Sequence, residues 1–262
     1  MKNQKIIKLI ITILAAVILM IAGAFIGQKY FFKTDLAVEN QVLENQVEEK
    51  NDIQGDASKH FEAGLDLANK GKLEESIKEF DLAIKHKQDD ADAYNNKAIA
   101  LEKLGRLEEA IQAYDLAIKY QPDYADAYYN KGLVLNSLDR YEEAIKVYDL
   151  AIKHKPNHAE AYSDKGISLA LNDRLEEAIQ AYDLAIKHKP DYARAYYNKA
   201  NALGKFGKLE DAVKAYDLAI KYQPDDIYAY NNKAVALDSL GRYEESIKEF
   251  DLSIKHKPDY AR

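Results

Sequence analysis

The sequence predicts an all-α protein, a stack of six helical hairpins preceded by one transmembrane helix. Three observations predict it. From Ala57 onward the chain repeats itself every 34 residues without an insertion. Within each repeat the apolar residues recur at helical spacing in two stretches, divided by a turn signal. Ahead of the repeats stands a charge-free run, Leu9 to Gly27, of spanning length.

That run (LIITILAAVILMIAGAFIG) covers about 28 Å at helical rise, close to the hydrocarbon thickness of a bilayer. A soluble core helix of that length would carry one polar face, and this one carries only Thr12. Tyr30, Phe31 and Phe32 follow between Lys29 and Lys33, an aromatic and basic collar of interfacial type. Residues 1–33 are therefore read as a membrane anchor. Ala22-Gly23-Ala24 supplies a signal-peptidase-like motif, so a cleaved secretory signal and a secreted product stand as the alternative. Continuation of the apolar run through Phe25 and Ile26 favours the anchor. Lys2, Lys5, Lys8 and the terminal amine outweigh the two Lys on the far flank, which places the repeats on the exoplasmic or periplasmic side of a single-pass protein.

Charge is segregated along the 262 residues. Residues 1–34 hold five Lys and no acid, residues 35–56 hold seven acids and one Lys, and the remainder carries a net charge of −6. A body without basic excess does not neutralise a phosphate backbone, which argues against nucleic acid as the partner. The absence of Cys excludes disulfides, thiolate metal sites and cysteine nucleophiles. Residues 34–56 are acidic and polar, and their scattered Leu and Val are too few for a coiled coil, so they read as a linker.

The six units are 57–90, 91–124, 125–158, 159–192, 193–226 and 227–260, followed by a two-residue stub, 261–262. In the second unit Tyr94, Ala98 and Leu101 share one helical face, and Ala110, Tyr114 and Ala117 share another. Leu104-Gly105-Arg106 supplies the turn between them. Pro122 closes the second helix, and the other four prolines, Pro156, Pro190, Pro224 and Pro258, sit at the same place. A column of small residues (Gly64, Ala98, Gly132, Gly166, Ala200, Ala234) faces a column of large ones (Phe80, Tyr114, Tyr148, Tyr182, Tyr216, Phe250), the complementarity that interior density requires.

In period and pattern the units resemble the tetratricopeptide repeat, a 34-residue helix–turn–helix module. The resemblance covers residues 57–260 and implies a right-handed superhelical solenoid in which each hairpin buries its apolar face on its neighbours. Two departures stand out. Tyr, or His60, occupies the usual Trp position, and Lys97, Lys131, Lys165, Lys199 and Lys233 occupy a usual Leu position, where their stems can pack while the ammonium reaches water.

The resemblance also implies that the first helix of each hairpin lines a groove that takes extended peptides. It places there the column Glu62, Asn96, Asn130, Asp164, Asn198 and Asn232, two residues after the packing Tyr. A primary amide both donates and accepts, so stacked Asn can hold a peptide backbone whatever its side chains. Alternatively, Asn merely tolerates an exposed helix face. Tyr129, Tyr197 and Asn201 in the adjoining columns are candidates for side-chain contacts. Asp92, Asp126 and Glu160 with Asp164 suggest a ligand carrying positive charge. Arg194 has no matching Lys with which to form a clamp for a C-terminal carboxylate.

No motif of a catalytic site, cofactor or metal site is present. His86, His154, His188 and His256 alternate with Tyr120 and Tyr222 near the second helix's end, which points to packing rather than ligation. Pairs such as Glu108-Glu109 open each second helix and read as caps that complement its dipole. Ser76, Ser246, Ser253, Glu79 and Glu249 make the end units more polar, as a capped array needs. The expectation is a non-enzymatic, membrane-tethered scaffold that binds peptide segments of other proteins, without small-molecule cofactor. The alternative is a structural or self-associating solenoid.

Overall fold

The computed structural model describes residues 55–256, together with the isolated helical and exposed positions Leu14, Met20 and Gln41. The predicted anchor 1–33, nearly all of the linker 34–56, and residues 257–262 lie outside the described residues. Among those described, no helix is long and apolar enough to cross a membrane. The chain divides into two units, residues 1–58 and 59–262, and the architecture below is that of the second.

Twelve helices and no strand occur among the described residues. The described part of α1 covers 55–69. Then follow α2 (Leu73–His86), α3 (Ala91–Lys103), α4 (Leu107–Tyr120), α5 (Ala125–Ser137), α6 (Tyr141–His154) and α7 (Ala159–Leu171). The remainder are α8 (Leu175–His188), α9 (Ala193–Lys205), α10 (Leu209–Tyr222), α11 (Ile227–Ser239) and α12 (Tyr243–His256).

Each turn inside a hairpin is closed the same way. In α3, Gly105 N–H bonds the Glu102 carbonyl and Arg106 N–H bonds the Leu101 carbonyl, the paired reverse bonds of a Schellman ending. The residue at its centre takes a positive φ. That residue is Gly at 71, 105, 207 and 241, whereas Asp139 and Asp173 adopt φ of 58° and 60° in the third and fourth units. Asp is among the few side chains that tolerate this region, which is why the turn survives there.

Within a hairpin the small and large columns meet as the sequence requires. A methyl group added at Gly64, Gly132 or Gly166 would lie 2.6, 2.5 or 2.6 Å from the ring of Phe80, Tyr148 or Tyr182. The Tyr of the first helix stacks on the ring near the end of the second. Tyr128 lies on His154 at 5.7 Å between centroids, Tyr162 on His188 at 5.4 Å, and Tyr94 on Tyr120 at 5.5 Å. The interchange of His and Tyr at that position is thus a choice between two flat rings.

Between hairpins, each second helix packs against the next first helix. The Lys column forms the polar part of this seam. Its ammonium groups do not end in water as the sequence suggested. Lys97 bonds Asp81 of the preceding hairpin at 2.6 Å, Lys131 bonds Asp115 at 2.5 Å, and Lys165, Lys199 and Lys233 repeat the pattern. The Asp partners are exposed, so each bridge contributes below about 1 kcal/mol and acts chiefly on register.

The Glu pairs lie in the first turn of the second helices, where they complement the dipole, and they take on a further role. The second helices have no side-chain cap bond at residues 106, 140, 174 and 208. Arg106, Arg140, Arg174 and Arg242 each take the second Glu (Glu109, Glu143, Glu177, Glu245) through two bonds of 2.6–2.8 Å. The fork of the guanidinium matches the carboxylate.

The array's ends are not capped by their extra polar residues. Ser76 and Ser246 are buried and donate to the carbonyls of Gly64 and Ala234 inside their own hairpins. Glu79 pairs with His60 and Glu249 with Lys233. Meanwhile Tyr243, Ile247, Phe250 and Ile254 of α12 are exposed; Ile247 is 61% accessible, against 8% for its equivalent Ile111. Polarity at these positions serves the hairpin interior and leaves the terminal face apolar.

Candidate functional site

Curvature decides which helices form the inner surface. Among the described helices α3, α5, α7, α9 and α11 touch in succession, while no two of the even-numbered helices touch. The first helices therefore crowd one side, and the predicted groove residues all belong to first helices: Asn96 to α3, Asn130 and Tyr129 to α5, Asp164 to α7, Asn198, Tyr197 and Asn201 to α9, and Asn232 to α11.

The structure gives these residues unequal freedom. Asn96 donates back to the Asp92 carbonyl of its own helix at 2.9 Å. Asn130 reaches the side chain of Asn95 one unit back, at 3.4 Å. Asn232 donates to the Tyr197 hydroxyl and to Asn201 Oδ1, both at 3.0 Å, and Tyr216 donates to the same Oδ1 at 2.6 Å. Bonds made through Asn201 Oδ1 leave its Nδ2 donors uncommitted, and Asn232 keeps its Oδ1 acceptor.

Asp164 stands apart. It is 4% exposed, and it accepts from the Tyr129 hydroxyl and from Arg194 Nη2, each at 2.8 Å. Tyr192 holds the same guanidinium through bonds of 3.1 and 2.7 Å. Burial lifts the Asp164 carboxyl above the usual carboxylate range, and the Arg194 charge beside it pulls the other way. Burial likewise pushes the Tyr129 hydroxyl up. His158 accepts the α7 Ala161 N–H at 3.4 Å and packs on Tyr129, and its pKa is lowered by burial and then by Lys155. The hydroxyls of Tyr148 and Ser163 are buried without a hydrogen-bond partner.

The other acids are occupied as well. Asp92 takes the Tyr124 hydroxyl, Asp126 lies 3.3 Å from Lys155, and Glu160 lies 3.2 Å from Lys189. The inferred affinity for a cationic ligand is therefore weakened, because Lys155 and Lys189 meet two of these charges, while Asp92 is held only by a neutral hydroxyl. Among the described residues no cluster of three or more His, Asp or Glu could hold a metal ion.

Two clefts open along the last three units. A cleft of about 500 Å³ lies between α9 and α11, floored by Tyr216 of α10 and lined by Asn201, Lys205, Asn232 and Val235. A second, of about 180 Å³, lies between α7 and α9, floored by Tyr182 of α8 and lined by Leu171, Asn198, Asn201 and Lys205. The two share Asn201 and Lys205 and form one trough across three first helices. Sequence reasoning had singled out Asn198, Asn201 and Asn232 here but missed Lys205 and Gly204. The signal was the column Ala68, Glu102, Asn136, Ala170, Gly204, Asp238, which loses its bulk at the fourth and fifth units. Glu102 and Asn136 fill the equivalent space earlier, bonding Tyr114 and Ser168.

Comparison with known proteins agrees with this architecture. Models of the tetratricopeptide repeat match residues 61–119 and 197–261, and residues 125–158. A further TPR repeat model matches 103–139 and 170–207. Among solved structures, MamA is similar at 25% identity over 63% of this chain and 96% of that one, with a TM-score of 0.60. YrrB, a TPR protein with an unusual peptide-binding site, aligns at 24% identity over 70% of this chain and 94% of its own, also with a TM-score of 0.60. PilF of Pseudomonas aeruginosa superposes with a TM-score of 0.67 at 16% identity, covering 79% and 94%. No curated protein matches the chain.

Proposed function

We propose, for a chain that belongs to the tetratricopeptide repeat family, a role as a protein–protein interaction scaffold that holds an extended segment of a partner against its first helices. The observation that carries the reading is the trough across α7, α9 and α11, where Asn201 and Asn232 offer a fixed donor and a fixed acceptor beside apolar walls. A peptide bond presents the complementary acceptor and donor, so such a surface can hold backbone independently of side chains. Asp164 and Tyr129 act differently in this scheme: they shape the groove rather than touch the ligand. Asn96, Asn130 and Tyr197 extend or support the binding face.

The scaffold is tethered to a membrane by residues 9–27 in this reading, on the strength of that uncharged run, with the repeats on the exoplasmic or periplasmic side. Sequencing the N-terminus of the mature chain tests it: a start beyond Ala24 would replace the tether with a secreted protein.

The groove is tested by replacing Asn198, Asn201 and Asn232 with Ala and isolating partners from solubilised cells. The expected outcome is loss of most of the recovered partner, with the helical circular dichroism unchanged. Full recovery by the triple variant would end the groove mechanism.

A second reading, self-association, is favoured by the exposed row Tyr243, Ile247, Phe250 and Ile254, whose spacing of four, three and four residues is that of a helix-pairing seam. Under it, the sedimentation coefficient rises with concentration and Ile247→Lys removes the rise. A concentration-independent coefficient leaves the scaffold monomeric.

A further inference from the structure

We propose that the trough selects an apolar–acidic–apolar peptide, with Lys205 taking the acidic side chain between two apolar ones. The inference rests on the groove reading above and adds the chemical class of its ligand.

Four observations meet here. Lys205 is exposed, lines both clefts, and forms no ion pair among the described residues. It is also the one charged side chain on the walls of either cleft. Elsewhere on this face the opposite holds: the acids at 92, 126 and 160 and the Asp164–Arg194 pair are met by partners. A cation left over in an otherwise neutral trough attracts an anion.

Apolar surface flanks it on both sides. Leu171 at the smaller cleft is 52% exposed and Val235 at the larger is 56% exposed, whereas Ile99, Leu133 and Ile167, which stand at the place of Val235 in earlier units, are partly buried. Gly204, beside Lys205, has nothing within 4 Å of where a Cβ would stand, so the trough stays open between the two clefts.

The spacing suits an extended chain. Neighbouring helices lie about 8–10 Å apart, which sets the separation of the clefts on either side of α9. In a polyproline II conformation, residues three apart share a face and lie about 9.3 Å apart. Two apolar residues at i and i+3 can then enter the two clefts, with an acid at i+1 or i+2 within reach of Lys205. The free Nδ2 of Asn201 and Oδ1 of Asn232 are left for the backbone between them.

The test uses the 262-residue chain in mild detergent and a fluorescein-labelled octapeptide, Gly-Ser-Leu-Glu-Glu-Leu-Ser-Gly amide. Two controls replace both Glu with Gln or with Lys. Fluorescence anisotropy should show the Glu peptide binding about three- to fivefold more tightly than the Gln peptide, as an exposed ion pair allows. The preference should shrink in high salt. Lys205→Glu should reverse it in favour of the Lys peptide. Gly204→Leu, a change that favours helix, should block all three by filling the trough. Equal binding of Glu and Gln peptides, blocked by Gly204→Leu, would overturn the acid selectivity and leave the groove standing. No binding of any peptide up to millimolar concentration would also overturn the assignment, and the partner isolation above would still decide the groove by itself.

Discussion

Tyr148→Ala is expected to destabilise the repeat array by about 3–5 kcal/mol, whereas Tyr148→Phe should cost nothing and raise stability by up to about 1 kcal/mol. The ring is fully buried in the third hairpin and lies so close to Gly132 that a methyl group there would come within 2.5 Å of it. Removing it opens a void that neighbours fixed by two adjacent hairpins cannot fill. Its hydroxyl is buried with no partner, so it bears a desolvation cost that Phe avoids. Tyr114 is the internal control. Its hydroxyl donates to Glu102 at 3.2 Å, so Tyr114→Phe should lose up to about 1 kcal/mol. Urea unfolding followed at 222 nm measures all three. A loss above about 1 kcal/mol in Tyr148→Phe would mean that the hydroxyl is bonded after all.

Arg194→Ala should destabilise by about 2 kcal/mol near neutral pH. The loss is smaller than for a fully buried pair because the Arg194 side chain is 48% exposed. What the change leaves behind is a carboxylate with 4% exposure and only the Tyr129 hydroxyl as donor. The sign of the pH dependence follows. Burial already raises the Asp164 pKa, and loss of Arg194 removes the charge that opposes the rise. A raised folded-state value means that the contribution to stability is fully present below the unfolded pKa and is lost as pH rises through the folded one. Arg194→Ala should therefore fall furthest behind the native protein at pH 7 and close the gap as the pH is lowered toward 4. Asp164→Asn restores the residue found at 96, 130, 198 and 232 and should abolish this dependence. A gap between Arg194→Ala and the native protein that widens on acidification would sink the account.

The groove was harder to read from sequence than the fold. The column of Asn residues was visible by counting in steps of 34, and each member lies on a first helix. Its members nevertheless differ in availability, because three of them meet different neighbours one unit away. Asn232 faces Tyr197, Asn130 faces Asn95, and Asp164 faces both Tyr129 and Arg194. Those partners sit some thirty to thirty-five residues apart in sequence, and a periodic reading treats them as independent columns. Acidic residues that looked available for a cationic ligand were claimed by Lys155 and Lys189 from the loops after the second helices.

Period, turn residues and the small-against-large columns are local properties, repeated six times, so reading along the chain was enough for the helices and their pairing into hairpins. The polar groups are another matter. Which of them are spent on each other depends on distances between units, and those are set only when the hairpins stack. Stacking turned the Lys column into bridges, moved the end-unit Ser residues inward, left α12 with an uncovered apolar face, and left Lys205 in an open trough without an acidic partner.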